Sequence, residues 1–156
     1  MATRSTISLK IKETDLGKTM HFDVNNIPFG CKYSKECIDK VGDVTPSKSY
    51  LTIYHHWDGY PQGVGKTLVE RYNTYESVLN LMLGGDASSI NGEEIVQYCA
   101  WRGESWEHVQ PLQQDNVCLT EEYAYKFEDG KWYVLGVEDE KGWVDLETYL
   151  VTHPDD

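Results

Sequence analysis

The stretch Tyr54-His55-His56-Trp57-Asp58-Gly59-Tyr60-Pro61-Gln62-Gly63-Val64-Gly65-Lys66-Thr67 organises the chain. Residues 50–57 form a run of aromatic and β-branched residues, which predicts a central strand. After Gly65 the apolar residues recur at steps of three and four, which predicts a helix with one apolar face. Loops held on a rigid frame commonly carry binding and catalytic groups. We therefore expect the functional site in the loop between this strand and this helix.

The segment around Asp129-Gly130 predicts a β-hairpin over residues 123–137 with a two-residue type I′ turn. That turn places Phe127 opposite Trp132 and Tyr125 opposite Val134, so all four side chains fall on one face. We expect this face to belong to the core.

Other segments carry weaker patterns. Ile7, Leu9 and Ile11 alternate with polar residues and predict a half-buried first strand, and Asn73 with Glu76 predicts a capping box that breaks the helix before Gly84. We further expect residues 19–24 to pair with the first strand, residues 34–41 to form a short helix and residues 42–47 to form a turn. Residues 86–92 should form a polar linker. We expect a strand rather than a helix at 95–101 and a closing helix at 143–151. Together these patterns predict one α+β domain over residues 1–156, with a mainly antiparallel sheet of four to six strands, the helices of residues 65–83 packed on one face, and a frayed tail at 152–156.

Charge is distributed unevenly along the chain, whose net charge is −12. Residues 1–71 contain ten Lys/Arg and eight Asp/Glu, a net +2, whereas residues 72–156 contain four and eighteen, a net −14. An acidic half of this size repels phosphate backbones, so we expect no direct nucleic-acid binding. It is suited to a basic protein surface, although an acidic surface also serves solubility alone.

Composition also indicates the compartment. The four cysteines show no Cys-x-x-Cys spacing, and no apolar run approaches the roughly 20 residues of a membrane span. We expect free thiols, no membrane association and a cytoplasmic protein, and the sequence leaves homo-oligomer formation open.

The candidate site combines the loop with a second segment that contains an arginine between two tryptophans, Trp101-Arg102-Gly103-Glu104-Ser105-Trp106. Guanidinium and indole groups suit phosphates and planar rings. The predicted ligand-binding residues are Tyr54, His56, Trp57, Asp58, Tyr60, Lys66 and Arg102. We expect no cofactor and no metal site, because adjacent histidines on a strand point to opposite faces.

The residues of this loop also suggest two other chemistries. Gly63-Val64-Gly65-Lys66-Thr67 has the wrong glycine spacing for a nucleotide-triphosphate loop, but its amides and Lys66 suit a single phosphate or carboxylate. His56 and Asp58 share a strand face and form an alternative acid–base pair. The competing interpretation is that Asp58 only stabilises the turn at Gly59.

The segments His56-Trp57-Asp58-Gly59-Tyr60-Pro61, Arg102-Gly103-Glu104 and Tyr125-Lys126-Phe127-Glu128-Asp129-Gly130-Lys131-Trp132 resemble a family of small uncharacterised bacteriophage and prophage proteins. Residues 19–48 look like an insertion relative to that family. The resemblance implies a phage accessory protein in the host cell cytoplasm.

Three functions follow as hypotheses. The first is stoichiometric, non-enzymatic binding that antagonises host defence, in which the site holds a small phosphorylated or nucleotide-like ligand. The second is an acidic inhibitor that mimics nucleic acid and covers a basic surface of a host enzyme such as a CRISPR effector. The third is a small hydrolase that uses His56 and Asp58.

Overall fold

Strand β1, Ser5–Lys10, lies at the centre of the sheet. It pairs antiparallel with β2, Tyr50–His55, and parallel with β6, Tyr123–Glu128. The other strands are β3 Ala87–Ile90, β4 Ile95–Gln97, β5 Leu112–Gln114, β7 Lys131–Leu135 and β8 Val144–Asp145. Their order is β4-β3-β2-β1-β6-β7-β8, and β5 also pairs with β2. This computed structural model describes residues 3–23, 25–26, 39, 41–91, 95–117, 122–137 and 142–153.

The described helices are short. They are α1 Lys66–Arg71, α2 Tyr75–Leu83, α3 Tyr98–Arg102, α4 Trp106–Val109 and α5 Leu146–Thr152, with a 3-10 turn at Glu13–Asp15 and a π-helical turn at Pro61–Gly65. Helices α1, α2 and α5 contribute apolar side chains to the same core as β1, β2, β6 and β7. The protein is therefore an α+β fold, as the sequence predicts.

The sheet differs from the prediction in size and direction. It has eight strands among the described residues rather than four to six, and it is mixed, because β1 pairs parallel with β6 and β2 pairs parallel with β3. The three strands that the sequence did not reveal, β3, β5 and β8, have two to four residues. Such segments are too short to display a period of two.

Both faces of β1 are buried, which corrects the prediction of a half-buried strand. On one face Ile7 lies between Ile53 of β2 and Tyr125 of β6, and this face packs under the helices. The other face is polar, and there the Ser8 and Thr52 hydroxyls bond to each other at 2.8 Å. Thr6 and Thr52 of this polar face line a cleft together with residues of the segment 107–113, so the second face is covered by chain that the alternation of β1 does not reveal.

The predicted hairpin is present with the predicted register. Phe127 opposes Trp132 and Tyr125 opposes Val134, and all four side chains are buried. Asp129 and Gly130 have φ of 53° and 81°, as a type I′ turn requires.

The predicted break in the helix is also present, one residue later than expected. Thr74, not Asn73, caps α2, and its partner is Ser77 rather than Glu76. The Thr74 side chain accepts from the Ser77 N–H, and the Ser77 side chain accepts from the Thr74 N–H, so both exposed backbone donors are satisfied. Gly84 ends the helix.

Five local expectations are corrected. Of the segment 19–24, the described residues 19–23 do not pair with β1. Instead, Met20 forms an isolated bridge with Val44, which also replaces the turn expected at 42–47. The expected linker at 86–92 contains β3, the expected strand at 95–101 is β4 followed by α3, and the expected helix at 143–151 is β8 followed by α5. Most of the helix expected at 34–41 and residues 154–156 of the tail lie outside the described residues.

Candidate functional site

The predicted loop leaves β2 beside β3 and closes tightly on itself. The backbone N–H groups of His56 and Trp57 donate to Ala87 and Ser88 of β3 at 3.2 and 2.9 Å. Asp58 then adopts a left-handed conformation with φ of 57°, which turns the chain away from the sheet. A side chain on Gly59 would bring its Cβ to 2.6 Å from the Thr3 carbonyl oxygen, so the turn passes where only glycine fits.

The loop and α1 form a cleft of about 300 Å³, which we call the Trp57 cleft. Its described lining is Trp57, Asp58, Gln62, Gly63, Lys66, Thr67, Glu70, Ser89, Ile90 and Asn91. Trp57 is 47% exposed, which is unusual for so large an apolar side chain. The cleft thus offers an accessible indole face, one ammonium group and several hydrogen-bonding groups.

Three of the seven predicted ligand-binding residues, namely Trp57, Asp58 and Lys66, line this cleft together. Tyr54 lines a different cleft, and its hydroxyl bonds to His56 Nδ1 at 2.7 Å. The His56 ring meets the Trp57 indole edge-on, with ring centroids 4.8 Å apart. His56 therefore links the Trp57 indole to Tyr54.

The last two predicted residues stand apart from the described lining of the Trp57 cleft. Tyr60 is partly exposed beyond the turn. The guanidinium of Arg102 lies 5.5 Å from the ring centroid of Tyr98, on α3. The seven predicted residues therefore do not line one pocket together in the part of the chain that the structure describes. The role of each residue in ligand binding stays a prediction.

The proposed acid–base pair is not in contact among the described residues. His56 bonds to Tyr54, and the exposed Asp58 has neither a described hydrogen bond to His56 nor a described side-chain bond to the turn amides. A hydrolase using these two groups stays a hypothesis, which requires a pH-dependent turnover that His56→Ala abolishes.

The glycine-rich turn directs its amides inward. The N–H groups of Gly63, Val64 and Lys66 donate to backbone carbonyls of the same turn, including a 2.9 Å bond from Val64 to Asp58. These three amides are not available to an anion, so the predicted phosphate contact would depend on side chains, among which Lys66 is the cation. This corrects the expectation of an amide cradle.

The chain matches no protein-family model, curated protein or solved structure. No helix among the described residues is long and apolar enough to cross a membrane. Those residues also contain no group of three or more His, Cys, Asp or Glu placed to hold a metal ion.

His55, directly before the site, has a structural role. It is fully buried, its Nε2 accepts from the Ile90 N–H at 3.2 Å, and its Nδ1 lies 3.2 Å from the Ser5 hydroxyl. Because Nε2 accepts a hydrogen bond, the proton of the neutral ring is on Nδ1. Burial, with a smaller contribution from His56, lowers the pKa of His55 to about 3.

Sequence reasoning missed a second cleft of about 540 Å³, which we call the Asp86 cleft. Its described lining is Thr6, Thr52, Ile53, Tyr54, Asp86, Glu107, His108, Gln110, Pro111, Leu112 and Gln113. Burial raises the pKa of Asp86 to about 6, and the Tyr54 N–H, which donates to it, opposes that rise. A lone Asp after two glycines is typical of a turn, so no sequence pattern indicates that this carboxyl group lines a cleft.

Proposed function

We propose that this protein is a non-enzymatic binding protein whose Trp57 cleft takes a small nucleotide-like ligand, with a planar ring and a phosphate. The exposed Trp57 indole, held edge-on by His56, is the observation that carries the proposal. An exposed indole is a stacking surface for a base, worth about 1–3 kcal/mol per base. The family resemblance adds a biological setting, that of a phage accessory protein, and in that setting the proposed role of stoichiometric binding is to antagonise host defence.

Charge in the Trp57 cleft makes the proposal specific. Lys66 is the one cation among the described lining residues, and Asp58 and Glu70 are the acids. A phosphate would be attracted by Lys66 and repelled by the two carboxylates. The sign of the effect at each position therefore reports the charge of the ligand.

The test is isothermal titration calorimetry with a panel of cyclic and linear nucleotides. We expect Trp57→Ala to weaken binding at least tenfold and Lys66→Ala to weaken it roughly fivefold, because one removes the stacking surface and the other the counter-charge. Glu70→Gln should tighten binding. Lys131→Ala, an exposed lysine of β7, is the matched control and should leave the affinity unchanged.

Two results would contradict the proposal. One is silence across the nucleotide panel, and the other is binding that Trp57→Ala does not weaken. Tighter binding in Lys66→Ala with weaker binding in Glu70→Gln would mean that the cleft takes a cation instead.

A second candidate function is the acidic inhibitor that covers a basic host protein. It is favoured by the exposed Glu104, Glu107, Glu122, Asp129 and Glu147, which form no ion pair with another described residue. Unpaired surface carboxylates attract a basic partner over long distances. Partner binding should then weaken steeply between low and high salt, and salt-independent binding would argue against this function.

A further inference from the structure

The Asp86 cleft exists because β2 changes neighbour along one of its edges. Residues Tyr50 to Thr52 pair with β5, whereas His55 pairs with Ala87 of β3. Ile53 and Tyr54 fall between these two partners and have no described strand neighbour on that edge. The sheet therefore opens at this point, and the cleft fills the opening.

Asp86 completes the backbone hydrogen bonding in this gap. Its Oδ1 accepts from the Tyr54 N–H at 2.8 Å, where a strand carbonyl would otherwise lie. Its backbone is also fixed, because its N–H donates to Val109 and its carbonyl accepts from Tyr98. Among the described residues, Oδ2 has no hydrogen-bond donor. The backbone thus holds one oxygen of the mostly buried Asp86 carboxylate in place, and the other oxygen is open to a ligand.

The remaining groups around the cleft favour positive charge. Glu107, on α4, adds a second carboxylate, and no lysine or arginine lies among the described lining residues. Gln110 adds an amide, and Pro111 and Leu112 supply apolar surface. The Thr52 hydroxyl and Gln113 Oε1, which also line the cleft, are already bonded to the Ser8 hydroxyl and the Ser47 N–H. A cleft of about 540 Å³ is far larger than a metal ion and falls in the range of small-molecule sites.

We propose that the Asp86 cleft is a binding site for a small organic cation, an alkylammonium or guanidinium compound, held by Asp86 Oδ2 and Glu107 with its carbon chain against Leu112. The two clefts are separate, since their described linings share no residue. This site is independent of nucleotide binding at Trp57.

The pH dependence of this site has a defined direction. Asp86 accepts from the Tyr54 N–H of β2 and interacts electrostatically with Tyr98 of α3. The Arg102 guanidinium lies 5.5 Å from the Tyr98 ring centroid, and Glu107 and His108 of α4 line the same cleft. With its pKa near 6, Asp86 is mostly ionised at pH 7.5 and mostly protonated at pH 5. Cation binding should therefore weaken roughly tenfold between pH 7.5 and pH 5.

The experiment is calorimetric titration of the full chain with agmatine and with putrescine at pH 7.5 and pH 5. Agmatine carries a guanidinium group that bonds a carboxylate with two parallel hydrogen bonds, so we expect it to bind more tightly. Asp86→Asn should weaken binding at least tenfold, because the amide still accepts from the Tyr54 N–H but carries no charge. Glu107→Gln, at an exposed position, should weaken it severalfold.

The controls separate this site from general attraction to an acidic surface. Glu122→Gln and Asp129→Asn remove exposed acids outside the described lining of the cleft and should leave the affinity unchanged. A lysine-containing tripeptide tests whether the cation can come from a protein side chain instead, and binding as tight as that of agmatine would overturn the small-molecule assignment. Failure of both amines to bind at millimolar concentration, or equal weakening by the control variants, would overturn the site.

Discussion

The two adjacent histidines at the end of β2 have opposite environments. His55 points into the helix-covered face, where the Ser5 hydroxyl and the Ile90 N–H fix both ring nitrogens. His56 points to the other face, half-buried, between the Tyr54 hydroxyl and the Trp57 indole. Strand alternation separates them, and burial decides what each can do. The buried ring has become part of the framework, and the half-buried ring remains beside the candidate site.

The largest expected difference between the two positions is in stability. His55→Ala should lower the free energy of unfolding by about 3–4 kcal/mol, because it opens a cavity and leaves two buried groups without partners. His56→Ala should cost about 1 kcal/mol or less. Urea unfolding followed by circular dichroism measures both values. Equal losses would mean that the burial of His55 does not distinguish the two rings.

The second prediction concerns the loss of folding stability at acidic pH. His55 stays neutral in the folded chain down to about pH 3, whereas an unfolded histidine takes up a proton below about pH 6.5. Unfolding therefore binds a proton in this window, and stability falls as the pH falls. The contribution of His55 is a loss of about 2 kcal/mol between pH 7 and pH 5.

The titration of Asp86 changes the stability of the folded chain in the opposite direction over part of the same pH window. Its pKa is raised to about 6 in the folded chain, so folding takes up a proton as the pH falls through 6, and stability rises. Asp86→Asn removes that gain, and this variant should lose more stability between pH 7 and pH 5 than the unmodified chain does. Urea unfolding at both pH values tests the prediction. An identical pH dependence in the two proteins would show that Asp86 is not perturbed as described.

The fourth prediction tests the polar face of the sheet. Ser8 and Thr52 are buried and bonded to each other, so Ser8→Ala or Thr52→Val alone should cost about 1–2 kcal/mol by leaving a hydroxyl unpaired. The double variant should cost less than the sum of the two, because it removes both polar groups together. Thermal or urea unfolding of the four proteins gives the coupling energy. Strict additivity would mean that the pair contributes nothing.

The parts of the fold that the sequence predicts are those whose information is local. The turn chemistry of Asp129-Gly130 determines the register of β6 and β7, and the spacing of Leu68 and Tyr72 indicates a helix. Pairings between distant segments leave no such trace. The parallel alignment of β1 with β6 joins residues more than one hundred positions apart, and β3 has only four residues.

The candidate site residues also differ in how far the local sequence predicts their positions. Trp57, Asp58 and Lys66 are close in sequence, and a strand–turn–helix segment brings them to one cleft. Arg102 and Asp86 depend on where α3 and β3 lie, which the tertiary fold determines. The Asp86 cleft needs a break between β5 and β3 along β2, and local patterns contain no information about it.

The smallest expected effect concerns the orientation of the indole rather than the stability of the chain. The edge-on contact of His56 with Trp57 is worth about 0.5–1 kcal/mol. His56→Ala should therefore shift the indole N–H resonance of Trp57 in an NMR spectrum, a resonance assigned by its loss in Trp57→Phe. Tyr54→Phe keeps the ring and removes the hydroxyl bonded to His56 Nδ1, so it should produce a smaller shift at the same resonance. An unmoved resonance in His56→Ala would mean that the imidazole does not orient the indole, and the functional difference between the two histidines would then be limited to burial.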